Sequence, residues 1–306
     1  MSMMDVSLKK VQLPNGESLG YREREGGEDV VVLVHGNMTS SKHWDLVLEN
    51  MNSKYKVYAI DLRGFGVSTY LEPISSIKDF SDDLKSFLDA LDLDDVALVG
   101  WSMGGAVCQQ FCVDYPSYCN RLLLLASGST RGYPFYATGE NGLPDTNHRL
   151  KTYEEVKADP GKTLAVQKAY DTEDREFLKS MWNMLIYVNN KPDEEKCEEY
   201  VDDILTQRNL AEVYQALNQF NISAVDNEVA QGTGQAQDIN IPVLVMRGDM
   251  DYVITEKMTN EILEDIGENT TFVSLPGCGH SPLVDDLSSL IQTLEQFLEE
   301  KEHHKQ

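Results

Sequence analysis

The residues best suited to chemistry lie at positions 100–104, which read GWSMG and are followed by Gly105. Ser102, in the centre, comes after a short apolar run at 96–99 and before a segment with helical character. A serine at such a strand-to-helix turn exposes its hydroxyl, and small residues two positions away on either side relieve crowding in the sharp turn. The N-terminus of the helix also favours negative charge that develops beside the hydroxyl. The motif therefore predicts a nucleophilic serine.

Two later loops supply the base and the acid that such a serine needs. His280 lies in residues 276–282 (PGCGHSP), after the last strand-like run. Loops at the carboxyl ends of parallel strands form active sites, so His280 is the predicted base. Residues 247–253 (RGDMDYV) follow the penultimate run and contain Asp249 and Asp251. Asp251 lies farther beyond the strand end and is the predicted acid that orients the histidine, whereas Asp249 is expected to brace the turn.

The oxyanion formed in acyl transfer needs two backbone N–H donors. One is expected from Met103, the residue after the nucleophile. The second is expected from Asn37, because Gly36 permits a tight turn after the apolar run at 30–34. His35, directly beside the end of this run, is expected to order the loop. The order serine, aspartate, histidine along the chain accompanies nucleophiles of the strand-turn-helix type.

Eight strand-like runs and the segments between them must position these residues. Two alternating runs, 9–13 and 18–22, flank a Pro-Asn-Gly turn and predict a hairpin. Four continuous apolar runs, at residues 30–34, 57–60, 96–99 and 122–126, predict strands buried on both faces of a sheet. Two further strand-like runs occupy residues 241–246 and 271–275. Helical patterns lie between most of them, so we predict an α/β fold: a mostly parallel eight-stranded sheet flanked by helices.

The alternation of strands and helices stops after the sixth strand. Residues 131–240 contain turn-forming glycines and prolines followed by charged helical stretches, without a strand-like run. Sheet-type runs resume at residue 241. We therefore predict a core domain of residues 1–130 and 241–306, interrupted by a helical cap at residues 131–240.

The most apolar part of the predicted cap is residues 181–188. Three of its residues are candidates for substrate binding: Met181, Trp182 and Leu185. Trp101, which flanks the nucleophile, is a fourth candidate. Each has an alternative interpretation, because the cap residues could form the cap's own core and Trp101 could pack at the strand end.

Composition limits the partners of the chain. Its 306 residues include 26 basic and 51 acidic side chains, a net charge of −25. Nucleic-acid binding needs a basic face, so this surplus of carboxylates argues against nucleic acid and against anionic membrane surfaces. The charge is spread evenly over the core and cap segments, which is typical of a solvated acidic surface.

The chain shows no sign of targeting or of a metal site. Its N-terminus lacks an apolar signal region, and no run approaches the roughly 18 apolar residues that a membrane span needs. The five cysteines have no metal-ligand spacing and are expected to be reduced thiols. We therefore expect a cytoplasmic protein that uses no metal or cofactor; no feature of the sequence predicts its oligomeric state.

Five segments together resemble the α/β-hydrolase fold superfamily, in its form with a helical cap. They are residues 35–37 (HGN), 61–68 (DLRGFGVS), 100–105 (GWSMGG), 248–253 (GDMDYV) and 277–280 (GCGH). The resemblance implies a structural role for four residues of the loop after the fourth strand: Asp61, Arg63, Gly64 and Gly66. Haloalkane dehalogenases and epoxide hydrolases of this fold carry an aspartate where Ser102 stands. The oxyanion loop also lacks the HGGPG form of proline iminopeptidases and the HGGG form of lipases.

The pattern predicts a serine hydrolase that cleaves a small or medium carboxylic ester or a lactone. Ser102 would attack the carbonyl, His280 would accept its proton, and Asp251 would orient His280. Two alternatives stay open: a carbon–carbon bond hydrolase or perhydrolase with the same triad, and a non-catalytic ligand receptor of the same fold.

Overall fold

The main sheet begins with a hairpin. The computed structural model describes residues 5–300, so the ends of the predicted core domain, residues 1–4 and 301–306, lie outside the described residues. β1 (Val6–Gln12) and β2 (Ser18–Arg24) pair antiparallel, as the sequence predicts. Gly16 in the connecting turn has a φ of 93°, a conformation that glycine adopts without a clash at Cβ.

The remaining strands complete an eight-stranded sheet and a separate pair. In chain order they are β3 (Asp29–Val34), β4 (Tyr55–Ile60), β5 (Val96–Trp101), β6 (Cys119–Leu125), β7 (Tyr136–Thr138), β8 (Pro144–Arg149), β9 (Val243–Gly248) and β10 (Thr270–Leu275). The order across the large sheet is β1-β2-β4-β3-β5-β6-β9-β10. β2 pairs antiparallel with β4, and the pairs from β4 to β10 are parallel. The predicted mostly parallel eight-stranded sheet is confirmed.

Helices cover both faces of this sheet. In chain order, all the α-helices of the described residues are α1 (Asp45–Asn50), α2 (Ile77–Ala90), α3 (Met103–Asp114), α4 (Tyr153–Ala158), α5 (Ala165–Asp171), α6 (Arg175–Leu185), α7 (Glu194–Ile204), α8 (Leu210–Gln219), α9 (Glu256–Ile266), α10 (Pro282–Asp285) and α11 (Leu287–Glu299). Side chains of α2, α3 and α9 join one hydrophobic cluster, and those of α1 and α11 join another. Within residues 5–300, none of these helices combines the length and apolar character needed to cross a membrane.

Side chains that alternate in direction along the buried strands contribute to both hydrophobic clusters. In β3, Val32 and Val34 belong to the first cluster, whereas Val31 and Leu33 belong to the second. Successive strand residues point to opposite faces of a sheet, so a continuous apolar run supplies both faces at once. Because these strands are parallel, their carboxyl ends lie at one edge of the sheet. Hydrophobic clusters pack against both faces of the sheet.

The segment between β6 and β9 contains α4 to α8 and one small hairpin. The prediction of no strand within residues 131–240 is wrong in this detail, because β7 and β8 pair antiparallel. Most of their residues are polar and exposed or half-buried. They therefore lack the apolar run or alternation by which a buried strand is recognised in a sequence.

Buried polar contacts join this segment to loops at the carboxyl edge of the sheet. The carboxylate of Asp203 in α7 accepts hydrogen bonds from the Ser40 N–H at 2.9 Å and from His43 Nδ1 at 2.8 Å. Burial alone would raise the pKa of Asp203, but His43 and the Ser40 hydroxyl hold it below its usual value. The Arg208 N–H donates to the carbonyl of Gly64, at 2.9 Å. The segment thus lies against the loops that follow β3 and β4.

Candidate active site

Ser102 occupies a strained turn between β5 and α3. Its φ of 56° and ψ of −117° lie in a region that residues with a Cβ rarely adopt. A Cβ on Gly100 would lie 2.4 Å from the carbonyl oxygen of Gly104, and a Cβ on Gly104 would lie 2.2 Å from that of Val34. Both distances are shorter than any real carbon–oxygen contact, so the turn requires glycine at both positions, as the motif predicts.

The structure brings Ser102, His280 and Asp251 into one hydrogen-bonded row. His280 Nε2 lies 3.0 Å from Ser102 Oγ, and His280 Nδ1 lies 3.0 Å from Asp251 Oδ2. The other oxygen of Asp251 accepts the backbone N–H groups of Val253 at 2.8 Å and Ile254 at 2.9 Å. Three separate loops, after β5, β9 and β10, therefore meet at one point.

The environment of Asp251 keeps its carboxylate charged. Its side chain is fully buried, and burial alone would raise its pKa. The neighbouring His280 and the two backbone donors outweigh burial and hold the pKa of Asp251 below its usual value. A charged carboxylate at Nδ1 makes that nitrogen the proton donor. His280 Nε2 is then the nitrogen that can accept a proton from the Ser102 hydroxyl.

Two neighbouring side chains brace these loops. Oδ1 of Asp249 accepts the Gly277 N–H at 2.8 Å and so ties the loop after β9 to the loop after β10. The indole N–H of Trp101 donates to the carbonyl of His280 at 2.8 Å. Asp249 thus lies where its expected bracing role requires, and Trp101 contacts the backbone of the histidine.

The loop after β3 lies directly against the nucleophile. A Cβ on Gly36 would lie 3.1 Å from Cβ of Ser102, so a side chain at position 36 would crowd the nucleophile. His35 is buried, its Nδ1 lies 2.7 Å from the Gly36 carbonyl oxygen, and its Nε2 accepts the Leu62 N–H at 3.0 Å. Burial lowers the pKa of His35, which keeps the ring neutral. Its two bonds order the loop, in line with the expectation for this residue.

Asn37 lies in this loop, and Met103 is the first residue of α3. Neither backbone N–H has a protein acceptor among residues 5–300. A residue of the inserted segment binds the Asn37 side chain: Gln207 Nε2 donates a hydrogen bond to Asn37 Oδ1 at 2.8 Å. The hydroxyl of Tyr170 in turn donates to Gln207 Oε1 at 3.0 Å. The sequence analysis missed Gln207, because no motif marks a lone glutamine after a helix.

Asp285 is a second residue that the sequence analysis missed. Its buried carboxylate accepts four backbone N–H groups. Oδ2 binds that of Gly279 at 2.7 Å, and Oδ1 binds those of Val188, Asn189 and Asn190 at 3.1, 2.7 and 2.9 Å. It thereby links the residue before His280 to the inserted segment. In the sequence it is one of two adjacent aspartates, and nothing distinguishes it from an ordinary helix cap.

The four predicted substrate-binding residues have different surroundings. Trp101 and Trp182 are both buried beside His43, with ring centroids 6.3 and 5.2 Å from the imidazole. Met181 is half-buried against the same hydrophobic cluster. Leu185 keeps 37% of its surface exposed. The structure thus brings the two tryptophans together in a packed interior and places Leu185 at the surface.

Titratable side chains outside the row do not assemble a metal site in the part of the chain that the structure describes. Between residues 5 and 300 no three His, Cys, Asp or Glu side chains are grouped as metal ligands. The five cysteines, Cys108, Cys112, Cys119, Cys197 and Cys278, are free thiols. Burial raises the pKa of Cys108, Cys197 and Cys278.

Comparison with known proteins gives consistent matches. A family model described as alpha/beta hydrolase fold matches residues 29–287. The chain is 25% identical to a 2-hydroxy-6-oxononadienedioate/2-hydroxy-6-oxononatrienedioate hydrolase of Paraburkholderia phymatum, over 91% of this chain and 90% of that protein. It is 35% identical to a 2-hydroxy-6-oxo-2,4-heptadienoate hydrolase of Pseudomonas putida, but over only 42% of this chain and 47% of that protein.

A solved esterase from Exiguobacterium antarcticum superposes with a TM-score of 0.73 and 18% sequence identity, covering 95% of this chain and 99% of that one. At this level of identity the likeness shows the fold alone. Sequence and structure comparisons therefore agree on the architecture and differ in the reactions for which the matched proteins are named.

Proposed function

The chain belongs to the α/β-hydrolase fold family, and from this premise we propose that it is a serine hydrolase that cleaves a small or medium carboxylic ester or lactone through an acyl-enzyme intermediate. The observation that carries the proposal is the row from Ser102 Oγ through His280 to Asp251, with 3.0 Å at each contact. A serine with a hydrogen-bonded base, and a base held by a carboxylate, is the arrangement that acyl transfer to serine needs.

In the proposed reaction Ser102 Oγ forms a bond to the ester carbonyl carbon while His280 Nε2 takes the hydroxyl proton. The carbonyl oxygen becomes an oxyanion that accepts the N–H groups of Asn37 and Met103. As the tetrahedral intermediate collapses, the carbon–oxygen bond to the alcohol breaks and His280 protonates the departing oxygen. His280 then takes a proton from water while the water oxygen attacks the acyl-enzyme carbonyl. When this second tetrahedral intermediate collapses, the bond between the carbonyl carbon and Ser102 Oγ breaks, His280 returns the proton to Oγ, and the carboxylic acid is released. Asp251 stays ionised throughout and holds the imidazole in the required tautomer.

We also propose that residues 131–240 act as a cap over this site. Three contacts support a lid-like position: Gln207 binds the Asn37 side chain, the Ile186 carbonyl accepts the Ser281 N–H at 3.3 Å, and Asp285 holds residues 188–190. The cap therefore contacts both the loop of Asn37, one of the two proposed oxyanion donors, and the loop of the proposed base. Such a position would let it control which substrates reach Ser102.

A second candidate is cleavage of a carbon–carbon bond by the same three residues. The observation that favours it is the relative from Paraburkholderia phymatum, which matches 91% of this chain and is named as a hydrolase of a 2-hydroxy-6-oxo dienedioate. Ester cleavage makes the smaller demand on the site. An alkoxide leaving group needs only the one proton that His280 carries, whereas a carbon leaving group must also be stabilised as it departs.

The test compares two substrate sets on the same preparation of the full chain. One set is p-nitrophenyl esters of increasing acyl length together with simple lactones; the other is a 2-hydroxy-6-oxo-dienoate whose absorbance falls on cleavage. We expect Ser102-dependent hydrolysis of esters at a kcat/KM well above that for the dienoate. The opposite ranking would replace the ester proposal by the carbon–carbon one. Failure to cleave either set, with no labelling of Ser102 by a fluorophosphonate probe, would favour a ligand receptor of this fold.

A further inference from the structure

A lysine of the inserted segment forms no ion pair with a carboxylate of the described residues. Lys162 is half-buried in a single wide helical turn, Pro160–Leu164. Among residues 5–300, no carboxylate oxygen lies within 4.0 Å of its ammonium group and no acceptor hydrogen-bonds to it. The chain carries 51 acidic residues against 26 basic ones, so an unpaired cation away from solvent is unexpected. The other described lysines without such a partner are all exposed: Lys10, Lys151, Lys157, Lys168 and Lys191.

The carboxylate whose charge acts on this ammonium, that of Asp159, accepts hydrogen bonds from other donors. Asp159 accepts the backbone N–H and the hydroxyl of Thr138, at 2.8 and 2.9 Å, and the backbone N–H of Lys162 at 2.9 Å. The ammonium group instead lies over two aromatic rings, 4.7 Å from the centroid of Phe135 and 5.9 Å from that of Tyr133. Burial lowers the pKa of Lys162, and the charge of Asp159 opposes this only in part. An anion that entered beside the lysine would compensate the cost of burying its charge.

Tyr133 connects this lysine to the proposed triad. Its backbone N–H donates to the carbonyl of Leu217 at 2.9 Å. The side chain of Leu217 lies 4.0 Å from where a Cβ on Gly128 would be, and the Gly128 N–H donates to the carbonyl of Ser102 at 3.2 Å. Burial and then the negative charge of Asp251 raise the pKa of Tyr133 to about 12. Tyr133 is thus linked to Ser102 through Leu217 and Gly128, and its ring forms one face of the lysine site.

We propose that Lys162 binds a carboxylate of the substrate, so that the ester cleaved at Ser102 carries a carboxylate at its far end. The inference rests on the proposed ester hydrolysis and adds the substrate class to it. Tyr133 and Leu217 are the side chains that separate Lys162 from Ser102 in this proposal, so we expect the part of the substrate between its ester and its carboxylate to be apolar. The rings of Phe135 and Tyr133 hold the ammonium in place before the substrate arrives, which reduces the cost of ordering a long side chain.

The experiment measures kcat/KM for mono-p-nitrophenyl esters of dicarboxylic acids, from succinate to suberate, and for neutral p-nitrophenyl esters of matched length. We expect the wild-type enzyme to favour one length of the acid-terminated esters over its neutral match. In Lys162→Met the ratio of the two kcat/KM values should fall about ten- to hundred-fold, the usual effect of losing a hydrogen bond to a charged group. Lys162→Arg should retain part of the preference. Thermal unfolding checks that each variant is folded.

The control is Lys157→Met, which removes an exposed lysine of the same segment that also lies over an aromatic ring, Tyr153. Its ratio should equal that of the wild type. Carboxyalkyl acetates repeat the measurement with the carboxylate on the alcohol part of the ester. A preference for acid-terminated esters that depends on Lys162 supports the proposal, whether the carboxylate is on the acyl part or on the alcohol part. An unchanged ratio in Lys162→Met on both sides would overturn it.

The subsite can also fail separately from the proposed reaction. If the wild type cleaves none of these esters, ester hydrolysis is wrong, and calorimetric titration with free dicarboxylates of the same lengths still tests the subsite. Binding that is present in the wild type and lost in Lys162→Met supports it. Equal binding by both proteins, or none by the wild type, refutes it.

Discussion

The carboxylate of Asp285 should hold the base loop in its active geometry, so Asp285→Ala should reduce both stability and turnover. The side chain is 1% exposed and accepts four backbone N–H groups. Of the residues that donate them, Asn189 and Asn190 are exposed and Val188 is half-buried, so water can replace the lost acceptor there. Gly279 is buried, and its N–H would be left without an acceptor.

The magnitude follows from this count. An unsatisfied buried donor costs about 1–3 kcal/mol. The N–H groups of residues 188–190 can bind water instead, so each of them costs less. In total, the free energy of unfolding should fall by about 2–4 kcal/mol. Gly279 directly precedes His280, and a shift of about 1 Å in a catalytic group lowers the rate by about 100-fold. We therefore expect kcat on a p-nitrophenyl ester to fall about 10- to 100-fold. Asp285→Asn, which keeps the oxygen for residues 188–190, should lose less stability than Asp285→Ala.

The assay combines urea unfolding with steady-state kinetics, and Asp286→Ala is the matched control. Asp286 caps α11 by accepting the Ser289 N–H at 3.1 Å and its hydroxyl at 2.7 Å. Losing this cap should cost about 1 kcal/mol and leave kcat unchanged. The reasoning would be refuted if Asp285→Ala retained wild-type kcat, or if Asp286→Ala lowered kcat as much.

The remaining predictions concern the acid and the nucleophile turn. Because the pKa of Asp251 is lower in the folded protein, its contribution to stability is complete above the ordinary carboxylate range and is lost as pH falls below it. The free energy of unfolding of Asp251→Asn, measured with urea from pH 7 to pH 3, should therefore approach that of the wild type only at the acid end. A difference between the two free energies that stays constant with pH would contradict the lowered pKa. Asp249→Asn, at an exposed side chain, is the control. Gly104→Ala places a Cβ 2.2 Å from the Val34 carbonyl oxygen and should lower stability by about 1–3 kcal/mol and abolish most activity. Gly128→Ala, whose nearest neighbour would be 3.8 Å away, should unfold at the wild-type temperature, and equal losses in both variants would refute the steric argument.

Features set by local chemistry could be predicted from the sequence. The buried strands were visible because a sheet covered on both faces needs continuous apolar runs, such as residues 30–34. The elbow at Ser102 was visible because its geometry requires glycine at two fixed positions. Asp251 and His280 followed from their places after β9 and β10. Their roles in catalysis stay predictions that the hydrogen-bonded row of Ser102, His280 and Asp251 supports.

Features set by distant contacts could not be predicted. Gln207 and Asp285 act across separations in sequence, and a lone glutamine or one of two adjacent aspartates carries no local pattern. The hairpin of β7 and β8 could not be predicted because most of its residues are polar and form no apolar pattern. The isolation of Lys162 is visible only in three dimensions, since it consists of what surrounds the ammonium group.

The central claim is that Ser102 is acylated during turnover, and mass spectrometry of the quenched enzyme tests it most directly. The wild type is mixed with a p-nitrophenyl ester, stopped in acid within the first turnover, digested and sequenced by fragmentation. We predict the mass of the acyl group on the peptide that contains Ser102, no adduct in Ser102→Ala, and a fall in kcat of about 10⁴-fold or more in that variant. An acyl group on a different residue, or wild-type turnover by Ser102→Ala, would contradict the account.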